Sequence, residues 1–179
     1  IRLDEGWKFA FGNAAAPAKD FGCGTEYFNY LTKANSIHNE GPYSPKFNDS
    51  KWEEVRIPHD WVTTLSYEQK ASHSHGYKTV GYKYPETSVG WYRKTVKIEE
   101  LKSGSSEDLP CRYYLQFDGI FRDARVWVNG FYLGHEPSGY AAQVYDISEY
   151  LNYGEENLVA VRADATLEEG WFYEGAGIY

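Results

Sequence analysis

The stretch "ARVWVNGFYLG", Ala124 to Gly134, alternates in the way of a β-strand: Val126 and Val128 fall on one face, Arg125 and Trp127 on the other. Asn129-Gly130 then supplies the two residues that accept positive φ at the centre of a type I′ turn, so "FYLG" is predicted to return as the partner strand. Val126, Val128 and Leu133 are the candidates for the core side of this hairpin. His135 and Glu136 follow directly, but no nucleophile or third group is marked nearby, and they are read as surface or interface residues.

The same period recurs on either side. In "RYYLQFDG", Tyr113, Leu115 and Phe117 alternate with Arg112, Tyr114 and Gln116. "GWYRKTVKI" (Gly90 to Ile98) and "NLVAVRAD" (Asn157 to Asp164) are two further strands, and "GWKFAFGN" opens the chain as another. "FNDSKWEEVRIPHDW" (Phe47 to Trp61) reads as a turn, a short strand and an exit directed by Pro58. Between them lie irregular stretches at about 14–45 and 63–85. Within the first, "TEYFNYLTKA" (Thr25 to Ala34) is read as a short helix; "SGSSED" (Ser103 to Asp108) is a loop tip. Loops this long in a compact domain are usually functional or in contact with another domain. The expectation is one all-β domain over 1–179, an antiparallel β-sandwich or jelly roll of the galactose-binding-domain type with long irregular N-terminal loops.

Composition narrows the function classes. A formal charge of −8 argues against a nucleic-acid or anionic-membrane partner, which would favour a basic face. No run of about 18 apolar residues is present, so no segment reads as a membrane span. The chain has no Met, and its first residues therefore say nothing about targeting. Aromatic residues make up 18% of the chain, which suits both sugar binding and sandwich cores. Cys23 and Cys111 are either two free thiols or a pair that only the fold can bring together.

The pieces "GWKFAFG", "FNDSKWEEVRIPHDW", "VGWYRKTV", "FDGIFRDARVWVNGFYLGHEPSGY", "YDISEYLNYGEENLVAVRAD" and "WFYEGAGIY", in this order, resemble the N-terminal sugar-binding-type jelly-roll domain of glycoside hydrolase family 2. "PHDW" followed by "VGWYRK" leans toward the β-galactosidase-like branch. The resemblance implies an immunoglobulin-like domain and a (β/α)8 barrel downstream as partners, with a β-galactoside or related glycan as substrate. Retaining hydrolysis takes two carboxylates about 5 Å apart. In the family both are glutamates on the barrel, so this chain alone is expected to be inactive, with no catalytic residue of its own. Family habit places such proteins in the periplasm or outside the cell. The alternative is a free-standing carbohydrate-binding module.

Candidate site residues follow from the resemblance and are weighed against plainer roles. Glu168 and Glu169, in the loop before the closing strand, stand where the family sends an acidic side chain toward the substrate pocket. Thr87 stands where some members place an Asn against a sugar hydroxyl, with one hydrogen-bonding group in place of the amide's two. Trp61, Trp171 and Tyr173 are candidates for a domain interface or for sugar stacking, with the interface favoured for Trp171 and Tyr173. Trp91 and Trp127 are assigned to sheet packing. His59 and Asp60 of "PHDW" are read as bonding backbone in a turn, since no Ser or Cys nucleophile is marked to complete a triad. The acidic doublets, such as Glu53-Glu54 and Glu155-Glu156, are solvated surface because neighbours on a strand face opposite ways. His73 and His75 have chelating spacing, yet a metal site needs a third ligand and supporting contacts, so no metal and no cofactor are assigned.

Overall fold

The computed structural model describes residues 1–23, 41–99, 111–168, 170–171 and 173–179. The helix expected over Thr25–Ala34, the loop tip at Ser103–Asp108 and Glu169 lie outside the described residues.

Among the described residues eleven strands follow one another: β1 (Trp7–Phe11), β2 (Glu53–Val55), β3 (His59–Asp60), β4 (Val89–Lys97), β5 (Tyr114–Phe117), β6 (Ile120–Phe121), β7 (Ala124–Val128), β8 (Phe131–Glu136), β9 (Gln143–Asp146), β10 (Glu156–Asp164) and β11 (Gly177–Ile178). β2-β1-β4-β10-β7-β8 form a six-stranded sheet, faced by β3-β11-β6 and the pair β5-β9. Every pairing is antiparallel, as in a sandwich. No helix among the described residues is long and apolar enough to cross a membrane.

The hairpin forms where the sequence places it. Asn129 and Gly130 take φ of 51° and 88°, and Val128 pairs with Phe131 across the turn. Asn129 does more than turn the chain. Its side-chain amide donates to Tyr150 O at 2.7 Å and to Asn157 Oδ1 at 2.8 Å, and its oxygen accepts from Leu158 N at 2.9 Å. The turn is thereby sewn to β10 and to the short 3-10 turn Ser148–Tyr150.

Alternation then fills the layer between the sheets. Trp7, Phe9, Tyr92, Val126, Val128, Val159 and Val161 from the large sheet pack in one cluster with Leu115, Phe117, Ile120 and Ile178 from the other layer. The alternate residues of the same strands are buried too. Trp91 and Trp127 stack with ring centres 5.4 Å apart, and Tyr43 stacks on Trp127 at 5.6 Å. The irregular N-terminal segment supplies this outer cover, with Ala14, Phe21, Cys23, Tyr43 and Trp52 packed there.

Buried charges fasten the cover. Asp20 accepts from Trp91 Nε1 at 2.7 Å and from Arg162 Nε at 3.0 Å, with Asp20 and Arg162 both almost completely enclosed. Burial pushes the Asp20 carboxyl up, against the opposing pull of Arg162. Asp49 holds Lys8 and Arg93, each at 2.7 Å, while Arg93 also donates to Ser44 O and Pro42 O. Cys23 and Cys111 are both free thiols; Cys23 is buried under this cover, and burial followed by the charge of Asp20 pushes it up to about 12.

Candidate functional site

Two segments without regular strands meet: the stretch 61–88 and the described residues of 165–176, which lead into β11. The first carries 3-10 turns at Trp61–Thr64 and His73–His75. Asp60 ties the entrance. Its Oδ1 caps the first turn by accepting from Val62 N at 3.0 Å, and it also accepts from Ala176 N at 3.0 Å; its Oδ2 accepts from Tyr173 OH at 2.7 Å.

Further along, Ser74 Oγ donates to Gly170 O at 3.1 Å and Glu174 N donates to Ser74 O at 2.8 Å. Tyr82 N donates to Glu168 Oε1 at 3.0 Å. The preceding Gly81 has φ of 113°, and a side chain there would collide with the Glu168 carboxylate. Glu168 thus grips the backbone of the opposite loop. These bonds lock the two segments into one unit.

Trp171 projects from that unit at 87% exposure, and Tyr173 is half exposed at 51%. Burial, and then the hydrogen bond to Asp60, holds the Tyr173 phenol well above its usual range. Tyr82, Tyr67 and Tyr77 are also exposed on the first segment, the last two with ring centres 6.0 Å apart.

Trp61 departs from its expected role. It is 1% exposed, stacks on Phe9 with ring centres 5.6 Å apart, and donates from its indole to Thr87 O at 2.9 Å. With both ring faces packed, it is a core residue with no surface for a sugar or a neighbouring domain. The Thr87 hydroxyl donates to Thr79 O, so its proton is already committed to the loop's own backbone.

His59 also differs. Its Nδ1 meets the Tyr92 hydroxyl at 2.8 Å rather than backbone, and burial pulls its pKa below the usual imidazole value. Asp60 bonds backbone as expected, and its carboxylate is occupied by Val62, Ala176 and Tyr173. Glu53, Glu54, Glu155 and Glu156 are exposed, as solvated doublets should be.

The residues that sequence reasoning missed are His75, Ser74 and Glu174. His75 is fully buried beside the carbonyls of Leu167 and Ala165, and among the described residues neither ring nitrogen makes a well-formed hydrogen bond; Glu174 Oε2 is likewise buried without one there. Burial lowers the His75 pKa, opposed by the carboxylates of Glu174 and Glu168 and by the carbonyls of Leu167 and Ala165. The "HSH" spacing drew attention to this stretch as a chelate. Among the described residues no group of three or more His, Cys, Asp or Glu is arranged to hold a metal. Only the packing of a 3-10 turn beneath a distant loop reveals His75 as interior, and sequence periodicity carries no signal of that.

A sandwich closed by a short strand, with exposed aromatics on a locked loop pair and carboxylates engaged in holding loops, defines an all-β domain of the binding-domain class. The family described as "Glycosyl hydrolases family 2, sugar binding domain" matches residues 2–179, and the chain belongs to that family. A protein of Formosa agariphila, provisionally named beta-glucuronidase, is 38% identical over 154 residues, which are 84% of this chain and 14% of that protein. A beta-galactosidase of Bacteroides ovatus is 35% identical over 136 residues, 75% of this chain and 15% of its own length. Among solved structures, a beta-glycosidase from Bacteroides vulgatus superposes with a TM-score of 0.68 at 30% identity, covering 100% of this chain and 19% of that one. The chain therefore spans less than a fifth of the length of these relatives.

Proposed function

We propose that this chain is the N-terminal, supporting domain of a retaining family 2 glycosidase of β-galactosidase type. It buttresses a catalytic (β/α)8 barrel beyond an immunoglobulin-like domain and lends the loop pair to the rim of the barrel's substrate pocket. The observation that carries this is the pairing itself. The Glu168–Tyr82 and Ser74–Gly170 bonds fix two irregular loops, while Trp171 and Tyr173 stay exposed on them. Rigid loops presenting aromatic rings suit an interface or a pocket edge, where mobile ones would be ordered only at an entropic cost.

On this reading Glu168 acts as a loop clamp, through the hydrogen bond its Oε1 accepts from Tyr82 N. The β-galactosidase lean rests on "PHDW" and "VGWYRK" and on the similarity to the Bacteroides ovatus beta-galactosidase. The similarity to the Formosa agariphila protein makes a uronic-acid glycoside the competing substrate class.

The test is the gene downstream of the Tyr179 codon. The expected result is an open frame encoding a barrel with two glutamates at its strand ends. A stop codon shortly after Tyr179, together with micromolar binding of glycans by this chain, would establish the free-standing module instead.

A further inference from the structure

Arg162 and Asp164, at the end of β10, stand two residues apart and so fall on one face of the strand. Arg162 is 1% exposed and Asp164 9%. Arg162 Nε donates to Asp20 Oδ2 at 3.0 Å, and its Nη1 donates to Asp164 Oδ2 at 3.2 Å. The other oxygen of Asp164 accepts from Thr166 N at 3.1 Å and from the Thr166 hydroxyl. Asp20 in turn holds the indole of Trp91, the residue that pairs with Arg162 across β4 and β10. An unbroken line of hydrogen bonds thus runs from the outer cover, through β10, into the loop that carries Glu168.

That loop closes into a ring with the opposite segment. Ala165 N donates to Ser88 O at 2.8 Å, and Ser88 is fully buried. The Ser88 hydroxyl accepts from Gly81 N at 2.9 Å and donates to Tyr84 O at 2.7 Å. Tyr82, the residue after Gly81, donates its N–H to Glu168 Oε1. Ala165 and Glu168 are therefore both pinned to the segment 81–88. The path the chain takes on leaving β10 decides whether Glu168 reaches Tyr82.

We propose that Asp164, held by Arg162, is a positioning residue for Glu168, and that it couples the loop pair to the Asp20 anchor of the outer cover. Apolar side chains at 162 and 164 would fill the same space without fixing a direction for the chain that follows. A carboxylate between a guanidinium and the Thr166 amide does fix it, because burial makes an unmet donor costly. A displacement of the cover at Asp20 is then transmitted to Glu168 through side chains that are themselves buried. Its bearing on a substrate pocket rests on the reading of the loop pair as a rim; the positioning itself does not.

The experiment is amide NMR and hydrogen exchange on the 179-residue chain. Glu168→Gln calibrates the signal, since it removes the carboxylate from the Tyr82 N–H and should move the Tyr82 amide resonance. Asp164→Asn keeps the shape and an oxygen for Thr166 but turns amide hydrogens toward Arg162. It should move the Tyr82 resonance in the same direction as Glu168→Gln. Exchange at Tyr82 and Thr166 should quicken about tenfold, with the Leu158 amide held by Asn129 unchanged. Thr166→Val, a milder change of equal volume, should act the same way more weakly, and Thr166→Ser, which keeps the hydroxyl, should not. A Tyr82 resonance that responds to Glu168→Gln but to neither Asp164→Asn nor Thr166→Val overturns the positioning and leaves the clamp intact. Equal acceleration at Tyr82, Thr166 and Leu158 also overturns it, by showing a general loss of stability. A Tyr82 resonance that ignores Glu168→Gln would remove the clamp itself, and both readings with it.

Discussion

On its inner face the six-stranded sheet meets apolar side chains from regular strands, whereas on its outer face the same strands meet an irregular segment fastened by buried charges. Val126, Val159 and Val161 need only volume and shape from Ile120 and Ile178 opposite. Arg162, Trp91 and Arg93 need particular atoms: the carboxylates of Asp20 and Asp49 and the carbonyls of residues 42 and 44. An apolar contact that loses a methyl group leaves a small void. A buried ion pair that loses a partner leaves a stranded charge, which is a larger penalty than the pair's net worth. The outer face should therefore be the brittle one.

Asp20→Ala is the largest expected effect. It removes one of the two carboxylates that hold the Arg162 guanidinium, Asp164 remaining at 3.2 Å, and takes the Asp20 acceptor from the Trp91 indole N–H, and should lower the unfolding free energy by about 3 kcal/mol in urea denaturation. A loss under about 1 kcal/mol would show that the cover is not anchored by this charge. Asn129→Ala comes next, at about 2 kcal/mol, because it removes three hydrogen bonds and places a Cβ-branched-free but non-glycine residue at φ of 51°. Ile178→Val, on the inner face, should lose only about 0.5–1.5 kcal/mol. If it proved as damaging as Asp20→Ala, the contrast between the faces would fail.

The smallest effect is a pH slope. Burial depresses the pKa of His75 below the ordinary imidazole value of about 6.5. The unfolded chain binds the proton more readily than the folded one, so stability is full above about 6.5 and declines as the pH falls through that value. His59 is shifted in the same direction and adds to the slope. His75→Phe should flatten the decline below pH 6.5 without abolishing it, as followed by melting temperature between pH 7 and 5. An unchanged slope would place the titration elsewhere.

The inner face was legible in the sequence because a two-residue period states directly which side chains meet. Asn129-Gly130 announced its turn for the same reason, since few residue pairs accept positive φ twice. Trp91 and Trp127 were rightly assigned to packing, but what covers them was not legible. Tyr43, Phe21 and Cys23 come from a stretch without period, and their partners lie far away in sequence. Trp61 misled because an aromatic after "PHD" near a turn looks exposed, while stacking on Phe9 hides it. The loop pair was visible as two irregular stretches, but its hydrogen bonds join residues as distant as Tyr82 and Glu168, and no local pattern encodes them.

The central claim is that this domain supports and shapes a pocket whose chemistry resides on another domain. It is tested most directly by incubating the purified chain with nitrophenyl β-galactoside and nitrophenyl β-glucuronide and following nitrophenol release. No turnover above buffer is expected for either. Measurable hydrolysis that disappears on replacing a carboxylate within residues 1–179, such as Glu168→Gln, would contradict it.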